Sequence, residues 1–234
     1  MGRLIVALVD KAADCELVGL VGEPGRQGEV GLLHPELPVT GQDTMAADLP
    51  AGCVIVDFST ARSLPALVTA ARALAAPLVI GTTGHTATEL AQLTDYAQEY
   101  PVVKAANFSL GIPALQMLLQ LLARTLPDEF AAEQVETHHA TKTDRPSGTA
   151  LHLAGVWRDR RGVEVPTHSQ RVGGVVGEHS WTISNQDETL VLTHRAHSRS
   201  AFLRGILPAV RFVVGREPGL YNLTDVLQDL GTEK

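Results

Sequence analysis

Residues 53–84, CVIVDFSTARSLPALVTAARALAAPLVIGTTG, set two short apolar runs on either side of a longer segment with a different period. The outer runs, CVIVDFST (53–60) and PLVIGTTG (77–84), are rich in β-branched residues and end in small or polar ones, as buried strands do. The inner segment, RSLPALVTAARALA (62–75), carries apolar residues three and four apart, the spacing of an amphipathic helix. Strand, helix and strand in that order predict a crossover between two parallel strands.

The same rhythm runs outward in both directions. CELVGLVG (15–22) and PVVKAANFS (101–109) read as further strands, and TATELAQLTDYAQEY (86–100) as a second crossover helix. The first hundred residues therefore predict an α/β fold with a Rossmann-like, doubly wound parallel sheet. Ligands in such sheets lie outside the carboxyl ends of the strands. Two of those ends, GTTGH (81–85) and AANFSLG (105–111), offer hydroxyls, an amide and exposable backbone, although plain turns end in the same residues.

Past Gly111 the pattern changes. IPALQMLLQLLARTL (112–126) reads as a helix, and after it extended segments such as GEHSWTIS (177–184) and ETLVLTHRA (188–196) dominate. A second, α+β domain is expected there. SRSAFLRGILPAVRFVVG (198–215) reads as one last helical pattern, followed by GLYNLTDVL (219–227).

Composition narrows the class of function. With 44% hydrophobic and 19% charged residues the chain is too apolar for disorder, and no uninterrupted apolar run reaches the ~18 residues of a membrane span. A net charge of −7 without a basic block argues against a nucleic-acid partner. Cys15 and Cys53 lack the pairing of a zinc site or a disulfide scaffold and read as small buried apolar side chains in a reducing compartment. No signal-peptide pattern is visible, so the cytoplasm is the expected location.

The densest chemistry lies in ETHHATKTDRPSGTAL (136–151). If residues 131–139 are extended, His138 and His139 point to opposite faces and have different tasks. DRPSGTAL (144–151) resembles a helix start, with Ser147 or Thr149 as cap and Gly148 leaving the backbone open. Free N–H groups there, with Lys142 and an imidazole near, suit a small anionic substrate that exchanges a proton. The plainer reading is a hydrogen-bonded histidine pair with loop charges at Lys142 and Asp144. A zinc site lacks a clear third ligand beside His138 and His139 or His194 and His197, and no G-x-S-x-G elbow is present, so no metal is expected and a serine hydrolase is disfavoured.

Residues 136–151 closely resemble the E-x-H-H-x-x-K-x-D-x-P-S-G-T-A signature of the dihydrodipicolinate reductase family. VDFST (56–60), IGTTG (80–84), AANFSLG (105–111), VGEHS (176–180), LTHRAHSR (192–199) and GLYNLTDVL (219–227) resemble its other landmarks in the same order. The resemblance implies NADPH- or NADH-dependent reduction of 4-hydroxy-tetrahydrodipicolinate, a small dicarboxylate, in lysine and diaminopimelate biosynthesis. It implies His138 as general acid and Lys142 as the catalytic lysine that orients substrate, with His139, Gly148 and Thr149 at a substrate carboxylate. It implies cofactor contacts at Gly81, Thr82 and Thr83, at Ala105, Ala106, Asn107 and Phe108, and at Arg199. Residues 1–109 and 200–234 would form the dinucleotide-binding domain. Residues 110–199 would form the substrate-binding domain, through which a homotetramer assembles.

The front of the chain departs from the family pattern. MGRLIVALVDKAAD (1–14) resembles the end of the family's glycine-rich turn and the helix after it, whereas LIVALV alone would suit a strand. The first strand and most of that turn are then absent from the sequence, and the expectation is that Met1 is internal to a longer protein. The acidic residue expected on the adenosine ribose falls at Gly22, with Glu23 as its substitute. The segment before VGEHS is about twenty residues short of a typical member as aligned. A truncated, non-catalytic relative that binds a small dicarboxylate or a partner subunit without a dinucleotide is the alternative reading.

Overall fold

The computed structural model describes residues 1–22, 34, 36, 37 and 39–232, and within it the chain divides into two units, Met1–Phe108 with Leu203–Lys234, and Ser109–Phe202.

The first unit begins with helix α1 (Gly2–Val9), not a strand. Propensity favours a strand for LIVALV, but Ile5 and Val6 are buried together on one side, with Val9 one turn on facing the same cavity as both. Burial of a helical face overrides the local preference. Strands β1 (Leu20–Val21) and β2 (Val39–Thr40) then pair in parallel as a small sheet of their own, so only the end of the predicted 15–22 strand is laddered. After α2 (Met45–Asp48) come β3 (Ile55–Asp57), α3 (Leu64–Leu74), β4 (Leu78–Ile80), α4 (Ala87–Tyr96) and β5 (Pro101–Lys104).

These strands and the late β10 (Gly219–Tyr221) form a four-stranded parallel sheet in the order β10-β5-β4-β3. Every residue of β4 is fully buried, which is why that strand reads as an unbroken apolar run: helices cover both faces of a parallel sheet. α3 lays Leu64, Leu67, Val68, Ala71 and Leu74 into the same core. A capping box starts α4, where Thr86 Oγ1 accepts from Glu89 N at 3.3 Å and Glu89 accepts from Thr86 N at 2.6 Å.

β3 is the outer strand of that sheet, and no described strand pairs with its outer edge. A cavity of about 490 Å³ lies along it, lined also by β1, α1 and Met45. Cys15 and Cys53 line this cavity and are half-buried, where full burial was expected; burial pushes the Cys53 thiol up.

The second unit holds α5 (Gly111–Thr125), β6 (Ala131–His138), α6 (Gly148–Arg161), β7 (Thr167–Arg171), β8 (Gly177–Ser184) and β9 (Thr189–Ala196). Its mixed sheet runs β7-β6-β8-β9, parallel between β6 and β7 and antiparallel elsewhere. α5 and α6 supply Leu119, Leu153 and Trp157 to a core completed by Trp181 and Ile183 of β8.

The last predicted helix is broken in two. A 3-10 turn (Arg199–Leu203) precedes α7 (Ile206–Val213), and Gly205 lies between them. Gly205 N donates to Phe108 O at 2.7 Å, and a Cβ there would lie 2.8 Å from that oxygen, so the chain is pinned where a continuous helix would have run. GLYNLTDVL likewise divides, into β10 and the start of α8 (Leu223–Thr232). No helix among the described residues is long and apolar enough to cross a membrane.

Candidate active site

Strand alternation sets the first half of the site. Along β6, Gln134, Glu136 and His138 are buried while Val135 and Thr137 are half-exposed, so the acid and the first histidine share a face. The Glu136 carboxylate is in contact with His138 Nδ1. It is also held from the neighbouring strand, where Arg171 donates to Glu136 Oε1 at 2.7 Å and to Oε2 at 2.9 Å. Neither side chain of this ion pair has appreciable exposure, at 1% for Arg171 and 0% for Glu136. Arg171 further donates to the backbone carbonyls of Lys142, at 3.3 Å, and of Asp144.

The turn after β6 supplies the second half. Ser147 is the N-cap of α6: its hydroxyl accepts from Ala150 N at 3.2 Å, and its own N–H donates to Glu136 Oε1 at 3.3 Å. Gly148, the first helical residue, is exposed, with open space where a Cβ would be. Thr149 beside it is half-buried. Lys142 Nζ lies 2.7 Å from Asp144 Oδ1. A carboxylate thus already rests against the lysine. Expected beside it, His139 is half-buried, with Nδ1 2.8 Å from Thr141 Oγ1.

Three imidazoles succeed one another away from β6. The rings of His138 and His179 meet edge to face at 5.3 Å, and those of His179 and His194 lie 6.4 Å apart. His179 Nε2 is 3.3 Å from Ser147 Oγ, and His194 Nε2 is 3.2 Å from Ser109 Oγ. Two glycines make room: a Cβ at Gly177 would lie 3.1 Å from His138 Nε2, and one at Gly111 2.4 Å from the His194 ring.

The electrostatics stem from burial and pairing. Burial pushes the Glu136 carboxyl up, but hydrogen bonds from Arg171, Ser169 and His138 outweigh it and hold it down, at about 2. Burial lowers His138, with Lys142 and Arg171 acting in the same direction and Glu136 against it. His179 is driven down to about 4 by burial, then by its two histidine neighbours, and burial lowers His194 as well. The hydrogen bond from Lys142 lowers Asp144.

The residues expected at a nucleotide lie at the carboxyl ends of adjacent parallel strands, Asp57, Ile80 and Lys104 being aligned across the ladder. Gly81 comes after β4 so closely under the Phe58 ring that a Cβ would approach within 2.2 Å of it. Thr82 is buried, its hydroxyl donating to Asp57 Oδ2 at 2.6 Å, whereas Thr83 is exposed. Both ring nitrogens of His85, at the end of this turn, are buried without a hydrogen-bond partner. Ala105, Ala106 and Asn107 form the loop after β5, and the fully buried Phe108 packs on Phe58 at 5.4 Å. Arg199 is exposed in the 3-10 turn of the second unit. Glu23 lies outside the described residues. No cluster of three or more potential metal ligands occurs among the described residues.

Sequence reasoning named His138 and Lys142 but assigned no role to Glu136, Arg171 or His179. The i, i+2 spacing of Glu136 and His138 on a strand was a usable signal. Arg171 carried none, and His179, although inside the VGEHS landmark, had no local neighbour to suggest a role: only strand pairing brings them close, since β7 sets Ser169 opposite Glu136 and β8 sets His179 there.

Comparison with known proteins gives a consistent result. The family models described as "Dihydrodipicolinate reductase, N-terminus" and "Dihydrodipicolinate reductase, C-terminus" match residues 1–108 and 111–227. The 4-hydroxy-tetrahydrodipicolinate reductase of Syntrophus aciditrophicus (strain SB) is 33% identical over 97% of this chain and 94% of its own length. That of Alkalilimnicola ehrlichii is 36% identical over the same shares. Among solved structures, dipicolinate-bound dihydrodipicolinate reductase from Paenisporosarcina sp. TG-14 superposes with a TM-score of 0.79 at 23% identity, covering 96% of this chain and 94% of that one.

Proposed function

The chain belongs to the dihydrodipicolinate reductase family, and from that premise we propose how its own residues carry out the reaction. It is a pyridine-nucleotide-dependent reductase of 4-hydroxy-tetrahydrodipicolinate, which it converts to tetrahydrodipicolinate. A hydride and a proton enter the substrate and water leaves.

His138 gives the proton from its Nε2 edge, since its Nδ1 edge is occupied by Glu136. Lys142 and the N–H groups of Gly148 and Thr149 hold a substrate carboxylate, and His139 lies at the margin of the same cradle. One observation carries this reading. The chain's own Asp144 carboxylate is bound by Lys142 Nζ, on the turn that leads into the start of α6, where Gly148 leaves the backbone open.

The nucleotide, NADPH or NADH, supplies the hydride when bound. The residues present fit it: the turns after β4 and β5 are adjacent, Gly81 admits no side chain, and His85 offers buried, unpartnered ring nitrogens. Gly81, Thr82, Thr83 and residues 105–108 would cradle it, with Thr82 contributing backbone because its hydroxyl is spent on Asp57. In this reading the first unit is the dinucleotide domain and the second the substrate domain. Val191 and Leu190, exposed on the outer strand β9, support assembly into a homotetramer through that sheet, and the cytoplasm is the proposed location.

The test is direct. Purified protein, freshly prepared substrate and NADPH or NADH are expected to lose nicotinamide absorbance only when all three are present. No loss with either nucleotide would reject the reading. Sedimentation at assay concentration reports the assembly.

A further inference from the structure

The Glu136–Arg171 pair has no part in the proton transfer or carboxylate binding described so far, yet it lies directly behind both. A buried ion pair is a weak source of stability, because desolvating two charges offsets most of their attraction. Its arrangement here points elsewhere. Two contacts from Arg171, one from His138 Nδ1 and one from Ser147 N–H meet this carboxylate, and Ser169 helps to hold its charge. That fills the acceptor capacity of a carboxylate. The same guanidinium also binds the carbonyls of Lys142 and Asp144. The proton donor, the lysine turn and the helix start are therefore all referenced to one buried pair.

We propose that Glu136 and Arg171 are positioning residues, which turn the Nδ1 edge of His138 inward, present its Nε2 edge to substrate, and fix Lys142 and the start of α6 in register with it. This rests on the reading of His138 as proton donor.

The charge balance explains why a pair is used rather than a lone acid. The groups facing His138 are Glu136 on its own strand, Arg171 on β7, Lys142 on the turn after β6 and His179 on β8. An unpaired buried carboxylate would hold a proton on the imidazole permanently. Because Arg171 cancels the charge of Glu136, the acid orients the ring without trapping it as imidazolium. The second proton of His138 is then taken up together with the anionic substrate, whose carboxylates bring the missing negative charge to the Nε2 side.

Two measurements on the full chain test this. Glu136→Gln keeps an acceptor but loses the charge, and it is expected to lower kcat roughly 10- to 100-fold with KM changed by less than about 3-fold. In the His138→Ala background the same substitution is expected to change kcat by less than about 2-fold, because Glu136 acts through the ring. An equal loss in both backgrounds, or no loss in either, would overturn the proposal. The second measurement needs no variant: ¹⁵N chemical shifts and couplings of His138 at neutral pH are expected to show the Nδ1–H tautomer, and an Nε2–H tautomer would overturn the proposal even if Glu136→Gln does not fold. A wild-type chain that turns over no substrate would instead reject the function proposed above, and the tautomer result would still decide this one.

Discussion

His179 is a residue whose burial carries a cost that can be read as a function of pH. It is 4% exposed, its Nδ1 has no partner, and its pKa is lowered from 6.5 to about 4. Between those values the unfolded chain binds more protons than the folded one, so stability rises with pH across the window and is lost as pH falls through it. Glu136 extends the loss further: its carboxyl is lowered from 4.5 to about 2, so its contribution disappears over that lower range. Urea melts of the wild type are expected to show stability falling from pH 6.5 to 4, and His179→Asn is expected to flatten that slope. Parallel slopes for the two proteins would contradict the assignment. At this scale the sequence singled out residues that cluster locally, as His138 and Lys142 do, and the structure brings both beside Glu136, Arg171 and the start of α6. The sequence could not show Arg171 or His179, whose roles depend on strand register.

Among the elements, α6 does most to shape the site. Ser147 caps it, and Gly148 leaves open space at its start, where the proposed carboxylate cradle lies. Gly148 has no positive φ, and a Cβ there would meet nothing within 4 Å, so alanine fits the fold and removes a helix-weakening glycine. Gly148→Ala is accordingly expected to keep or slightly raise Tm while raising KM for substrate several-fold, measured by calorimetry and steady-state kinetics. An unchanged KM would remove Gly148 from the carboxylate cradle. The helix start was legible because Pro, Ser, Gly and Thr form a local signal. The reading failed where tertiary contacts decide: residues 198–215 carry helical spacing throughout, yet the approach of Gly205 to Phe108 O splits them. For α1, local β propensity and burial disagreed, and burial of Ile5 and Val6 prevailed.

Across the whole molecule, the alternation of buried strands and crossover helices fixed the first unit's class, and the long extended segments announced the mixed sheet of the second. The cavity along the outer edge of β3, with which no described strand pairs, was not legible as a space. At this scale the proposed function requires a hydride from the nucleotide and, on the proposal above, a proton from His138 in one turnover. Single-turnover mixing of enzyme-bound NADPH or NADH with substrate, for wild type and His138→Ala, separates binding from chemistry. The account predicts unchanged nucleotide affinity and a rate of nicotinamide oxidation lowered by ~10²-fold or more in the variant. Oxidation at the wild-type rate in His138→Ala would contradict it.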